Sequence, residues 1–203
     1  AVAKVAAWKP TIRLNDTTRA YFKRLASISS PEDAKRYLSI IGTDTAAAAA
    51  ADDYFLDREP RHASMLRTSV SPTIIQGGYR INVIPSEAKA SLDVRALPDE
   101  DLDAFLAQMT KVIDDPAVEV AWAAREVRPP SGLTRLDSEA FKTIEANVTR
   151  HYKTVTLPTM STGATDMAYL RARGMQCFGI GPMVDVEDGQ IVNGTIVKID
   201  KDE

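Results

Sequence analysis

Apolar positions along this chain change their period near residue 65. Upstream they recur at helical spacing. Ala1 to Trp8 reads as the tail of a helix stopped by Pro10, and Tyr21, Phe22, Leu25 and Ile28 form one stripe behind a cap at Asn15 or Asp16. Ser30-Pro31-Glu32-Asp33 is a second helix start, with a capping serine, proline in the first turn and acids behind it. Its helix carries Tyr37, Leu38 and Ile41 and ends at Gly42. The alanine run 46–51, continued by Tyr54, Phe55 and Leu56, predicts another short helix, because alanine is the strongest helix former.

From Met65 the pattern turns to strands. Met65 to Gln76 reads as one strand, Gly77-Gly78 as a turn, Ile81 to Ile84 as a short strand ending at Pro85, and Ala88 to Ala96 as its neighbour. Along that last strand Ala90, Leu92 and Val94 point one way, and Ser91, Asp93 and Arg95 the other. Pro98 to Asp101 then opens an amphipathic helix whose stripe is Leu102, Phe105, Leu106, Met109, Val112 and Ile113. Val118, Val120 and Trp122 alternate as an edge or closing strand. Strand, strand, helix, strand with a preceding helix is most of a split βαβ, ferredoxin-like layer.

Arg128 to Gly132 looks like a connection between modules. Beyond it Asp137 can cap a helix bearing Phe141, Ile144 and Val148, and Met167 to Arg173 forms a helix stopped by Gly174. Met175 to Ile180 reads as a buried strand, which makes Cys177 a core residue, and the stretch from Ile191 to Glu203 as a last strand with a charged end.

Composition narrows the function classes. At 203 residues and 44% hydrophobic content the chain can bury one good core or two small ones. A formal charge of -3 and a pI near 5.5 argue against nucleic acid as a partner. No apolar run reaches the roughly 18 residues that span a membrane, and the compartment stays open. With one cysteine there is no disulfide framework. His62, in an expected loop, and His151, near a helix end where an imidazolium suits the dipole, share no metal-ligand spacing with Cys177. A complete metal site within the chain is therefore not expected.

Two stretches carry candidate chemistry. Asn82, Asp93 and Arg95 place an amide, a carboxylate and a guanidinium on neighbouring strands. Arg and Asn together can hold a carboxylate or polarise a carbonyl, while the same residues also make an ordinary surface ion pair and a turn. Ser161-Thr162-Gly163-Ala164-Thr165-Asp166 is a small-residue loop opening a helix. It reads as an anion site at the free backbone N–H groups, or as a plain N-cap by Thr165 or Asp166.

Taken in order, Gly77-Gly78, Asn82-Val83-Ile84-Pro85, Leu92-Asp93-Val94-Arg95, Gly163-Ala164-Thr165-Asp166 and Gly179-Ile180-Gly181-Pro182 resemble the M20 metallopeptidases, which include carboxypeptidases, dipeptidases, aminoacylases and desuccinylases. The resemblance covers about residues 63–182. It implies an α+β or α/β protein in which a lid is inserted into a zinc-binding α/β catalytic domain. Residues 1–125 would be the lid or dimerisation domain, with a helical elaboration at about 10–62, and 126–203 the C-terminal portion of the catalytic domain. It further implies that Asn82 and Arg95 reach the substrate carboxylate or reacting carbonyl, and that Gly163, Ala164 and Thr165 contact the substrate's carboxylate end.

The family's H-x-D motif, bridging Asp, Glu-Glu pair and C-terminal His have no counterparts here. The chain therefore resembles part of such a protein. Two zinc ions are expected in the parent and none in this chain alone, which by itself would be inactive. The implied parent cleaves an amide bond in a peptide or N-acyl amino acid with a free carboxylate and pairs as a homodimer through the lid. The alternative is a non-catalytic dimerisation or ligand-binding module.

Overall fold

The computed structural model describes residues 1–123, 132–160, 163, 165–180, 186–187 and 190–191. In chain order the elements are α1 (Val2–Ala7), α2 (Asp16–Ala26), α3 (Pro31–Ile41), α4 (Thr45–Arg58), α5 (Pro60–Leu66), β1 (Ser69–Gly77), β2 (Ala88–Arg95), α6 (Leu102–Ile113), α7 (Glu139–Tyr152), α8 (Met167–Arg171), β3 (Val186–Glu187) and β4 (Gln190–Ile191). The class is α+β: many helices and small antiparallel sheets of two strands each. No described helix is long and apolar enough to cross a membrane.

The chain divides into two compact units, Ala1–Thr11 with Arg67–Pro130 and Ile12–Leu66 with Ser131–Glu203. In the first, β1 and β2 form a hairpin in which Ser69 pairs with Arg95 at one end and Gly77 with Ala88 at the other. Its inner face offers Val70, Leu92 and Val94 to a core of Val5, Phe105, Met109 and Ile113. The period of two along β2 thus does what the sequence reading expected of Leu92 and Val94. The register slips between Pro72 and Ile74. Proline has no N–H for the ladder, so the irregularity falls where a donor is missing. Gly78 takes φ 72°, a conformation that a side chain disfavours, as the chain leaves β1. Lys4 donates from Nζ to the carbonyl of Ile113 at 2.5 Å, placing a cation on the C-terminal end of α6.

The second unit packs α2 to α5 around Tyr21, Phe22, Tyr37, Phe55, Met65 and Leu66, with Leu157 in the same cluster and Val155 and Met160 against it. The starts of these helices follow the capping signals. Asn15 Oδ1 accepts from the N–H of Thr18 at 2.9 Å, and Thr18 Oγ1 accepts from the N–H of Asn15 at 3.0 Å, a reciprocal box. Ser30, Asp44, Asp101 and Ser138 cap α3, α4, α6 and α7 through their side chains. Asn15→Ala is expected to lower stability by about 1 kcal/mol, read as a lower urea midpoint; an unchanged midpoint would show that the box contributes nothing.

Several expectations are corrected. Met65 and Leu66 end helix α5 instead of opening a strand, because both are buried in the helical core. His62 is helical too, not in a loop. The alanine helix runs on to Arg58. Ile81 to Ile84 lies in the turn between β1 and β2, with Ile81 and Ile84 fully in solvent and no partner strand. Residues 118–122 alternate in burial, and Val118, Val120 and Trp122 pack on the core, yet no ladder assigns them to a sheet. Ser138 caps α7, since Asp137 is taken by Arg135 at 2.6 Å. Residues 175–180 form no strand: Thr134 and Arg171 donate side-chain bonds to the Cys177 carbonyl. Cys177 is accordingly half-buried rather than a core residue. The connection at 128–131, Gly181-Pro182 and most of the C-terminal stretch lie outside the described residues.

Candidate substrate-binding site

The hairpin sets the positions of Asn82 and Arg95. β1 and β2 run antiparallel and leave a ten-residue connection (78–87) beyond the Gly77–Ala88 pair, in which Asn82 sits exposed. Asn82 is therefore a loop residue, not one of a strand pair with Arg95. Around it Tyr79, Ile81 and Ile84 are 78%, 107% and 94% exposed, so an amide is presented amid apolar side chains at the tip. Arg95 closes the opposite end of β2, paired with Ser69. At about 3.3 Å per residue the strand holds Arg95 about 23 Å from Ala88. Within the unit the two candidate residues are thus far apart.

Arg95 donates from Nε to Asp93 Oδ2 at 2.6 Å, on the face of β2 away from the core. Both side chains are more than two-fifths exposed, so the pair adds little stability and the guanidinium keeps most of its donors turned to water. That arrangement suits capture of an anion, since exchanging one exposed carboxylate for another loses little.

The second candidate stretch belongs to the other unit. Thr165 Oγ1 accepts from the N–H of Met167 at 3.0 Å and its carbonyl accepts from Ala168, while Asp166 makes no side-chain cap. The hydroxyl thus occupies one of the donors that an anion would use. Helix α8 has five residues, too few for a strong end dipole. Gly163 is half-buried, and Ala164 lies outside the described residues. Arg171, reaching back from α8, donates to Thr134 Oγ1 at 2.9 Å and to the Cys177 carbonyl at 3.2 Å, so the segment after Gly174 is tied to this helix.

A zinc pair such as the resemblance implies needs several His, Asp or Glu ligands brought together. Among the described residues no group of three or more His, Cys, Asp and Glu could hold a metal ion. His62 is committed to Tyr21 and Glu59, and His151 accepts from Arg150 at 3.1 Å. These residues do not fit a zinc site.

Sequence reasoning passed over the cluster around His62. The signal was Glu59 and His62 three residues apart, a spacing that brings side chains together on a helical turn.

Comparison with known proteins adds a family. The peptidase dimerisation domain of the M20 group matches residues 19–121, which is half of the chain. Among curated relatives, aminoacylase-1 of Pongo abelii is 33% identical over 118 residues, 57% of this chain and 29% of that protein. Aminoacylase-1 of Mus musculus is 30% identical over 117 residues, with the same shares of 57% and 29%. A probable carboxypeptidase S-like protein of Dictyostelium discoideum is 25% identical over 130 residues, 64% of this chain and 25% of the relative. The chain therefore spans less than a third of the length of these relatives. No solved structure matches it.

Proposed function

Because the chain belongs to the M20 metallopeptidases and carries their dimerisation domain, we propose that it is the substrate-holding and pairing part of a hydrolase acting on an amide bond. The substrate is a peptide or an N-acyl amino acid with a free carboxylate. The observation that carries this reading is the domain match over 19–121, which takes in the whole hairpin bearing Asn82 and Arg95. The names of the relatives, aminoacylase and carboxypeptidase, favour the same substrate classes.

In this reading the α1, hairpin and α6 unit is a split βαβ lid, and the lid mediates a homodimer. Asn82, exposed on the hairpin loop, donates its amide to the reacting carbonyl oxygen, where negative charge develops during attack. Arg95 holds a carboxylate through its fork of donors, with Asp93 keeping the guanidinium oriented until substrate arrives. At their separation along the hairpin, the two residues of one protomer are too far apart to share one N-acyl amino acid, so each serves a different substrate molecule. The Gly163–Thr165 loop contacts the carboxylate end. The residues that hold metal and move the proton belong to protein outside this chain.

Arg95→Ala in the full-length protein tests the assignment. With a carboxylate-bearing N-acyl amino acid, kcat/KM is expected to fall at least about fivefold, the equivalent of roughly 1 kcal/mol. A change below about twofold would remove Arg95 from the site. The alternative, a module that pairs or binds ligand without catalysis, is motivated for the chain on its own by its having only two histidines. Metal-dependent dipeptide hydrolysis by the purified chain would eliminate it.

A further inference from the structure

Within the second unit, His62 stands between rings from three other helices. Its centroid lies 5.6 Å from Tyr21, 5.4 Å from Phe22, 5.3 Å from Tyr37 and 5.4 Å from Phe55. The side chain is 13% exposed. Its two nitrogens have different partners: Nδ1 meets Glu59 Oε2, and Nε2 meets the Tyr21 hydroxyl at 3.0 Å. Tyr37 donates its hydroxyl to the same Glu59 oxygen at 3.4 Å.

The donor inventory fixes the protons. An ionised carboxylate only accepts, so Nδ1 carries hydrogen towards Glu59. Nε2 is then the free lone pair of a neutral ring, and the Tyr21 hydroxyl donates to it. Each of the three hydrogens, from Tyr37, His62 and Tyr21, has an acceptor. A second proton on the imidazole breaks the chain, because Nε2 becomes a donor facing a donor. Tyr21 must then turn to accept, and its own hydrogen is left without an acceptor at a side chain 2% exposed.

We propose that the Tyr37–Glu59–His62–Tyr21 network is an acid-sensitive latch that fastens α2, α3 and the end of α4 to α5 while His62 is neutral and releases them when it is protonated. The network joins residues far apart in sequence through one ring, so losing it loosens four helices together. The charged and titratable groups facing His62 are Tyr21 from α2, Tyr37 from α3, Glu59 at the end of α4, and Arg61 on its own helix. Burial lowers the His62 pKa from its ordinary 6.5; Glu59 opposes this by bonding and charge, and Arg61 adds to it. A folded-state pKa below the unfolded one means that the unfolded chain binds more protons. Stability is then full above about pH 6.5 and is lost as pH falls from there through the folded value.

The chain has two histidines, so ring resonances give two proton titrations by NMR, assigned with His151→Gln. His62 is expected to titrate below its ordinary 6.5. Amide exchange in α2 to α5, corrected for intrinsic rates, is expected to speed at least about threefold between pH 7.5 and 5, with α6 as the unaffected reference. Tyr21→Phe removes the donor to the neutral nitrogen and should move the His62 midpoint upward. Glu59→Gln removes the counter-charge and should move it downward. His62→Gln, where it folds, should abolish the pH effect on α2 to α5. A His62 titration at or above 6.5, or exchange in α2 to α5 that ignores pH, overturns the latch. Should His62→Gln fail to fold, the opposite shifts expected of Tyr21→Phe and Glu59→Gln decide the matter.

Discussion

Phe22→Ala is expected to lower the unfolding free energy by about 3–5 kcal/mol. The side chain is 0% exposed, stacks on Phe55 at 5.6 Å with the planes 10° apart, and meets Tyr21 edge-on at 5.3 Å. Tyr37 and His62 occupy two further sides. Truncation leaves a void ringed by planar groups that have few rotamers with which to fill it, so little of the loss is recovered by relaxation. Urea unfolding followed by far-ultraviolet circular dichroism measures the effect. A loss under about 1 kcal/mol would mean that the aromatic cluster is not packed as described.

Phe105→Ala should have an effect of the same size, about 3–5 kcal/mol, in the other unit. Phe105 is 3% exposed and stacks on Trp8 at 5.1 Å, next to Met109, Ile113 and Val5. The readout is convenient, because both tryptophans of the chain, Trp8 and Trp122, pack on this cluster. Their emission should shift to longer wavelength and their unfolding midpoint should fall. In native Phe22→Ala the emission should stay as in the parent chain. A Phe105→Ala variant with unaltered tryptophan emission would contradict the packing of α6 against α1.

What could be read in advance follows from how local each cause is. Asn15, Ser30 and Asp101 announce helix starts because a cap needs only its own next three residues. The stripe of α6 and the inward Leu92 and Val94 were legible because one-sided burial imprints a period on the sequence. Met65 and Leu66 were misread for the opposite reason. A short apolar run fits a strand or a helix equally, and only contact with the aromatic cluster decides it. Ile81 to Ile84 has the β-branched residues of a strand, but a strand needs a neighbour, and propensity cannot supply one.

The candidate site was legible as residues and not as geometry. Asn82 and Arg95 stood out by type and order, whereas their separation depends on the β1–β2 register, which sequence spacing does not give. Thr165 was offered as a cap and its hydroxyl does bond to the N–H of Met167. His62 was set aside for want of a metal-ligand spacing, and its partners Tyr21 and Tyr37 come from helices distant in the chain.

The amide of Arg13 donates to the carbonyl of Leu66 at 2.8 Å, so the two ends of the segment Ile12–Leu66 lie side by side. Joining α1 to β1 across an open loop of about fifty residues would cost about 3.5 kcal/mol in closure entropy. A segment that folds with its ends clasped removes most of that cost before α1 and β1 meet. In genetic terms it behaves as a cassette: insertions within it leave the register of the hairpin that carries Asn82 and Arg95 unshifted, whereas its excision would strip Val155, Leu157 and Met160 of the core they pack on.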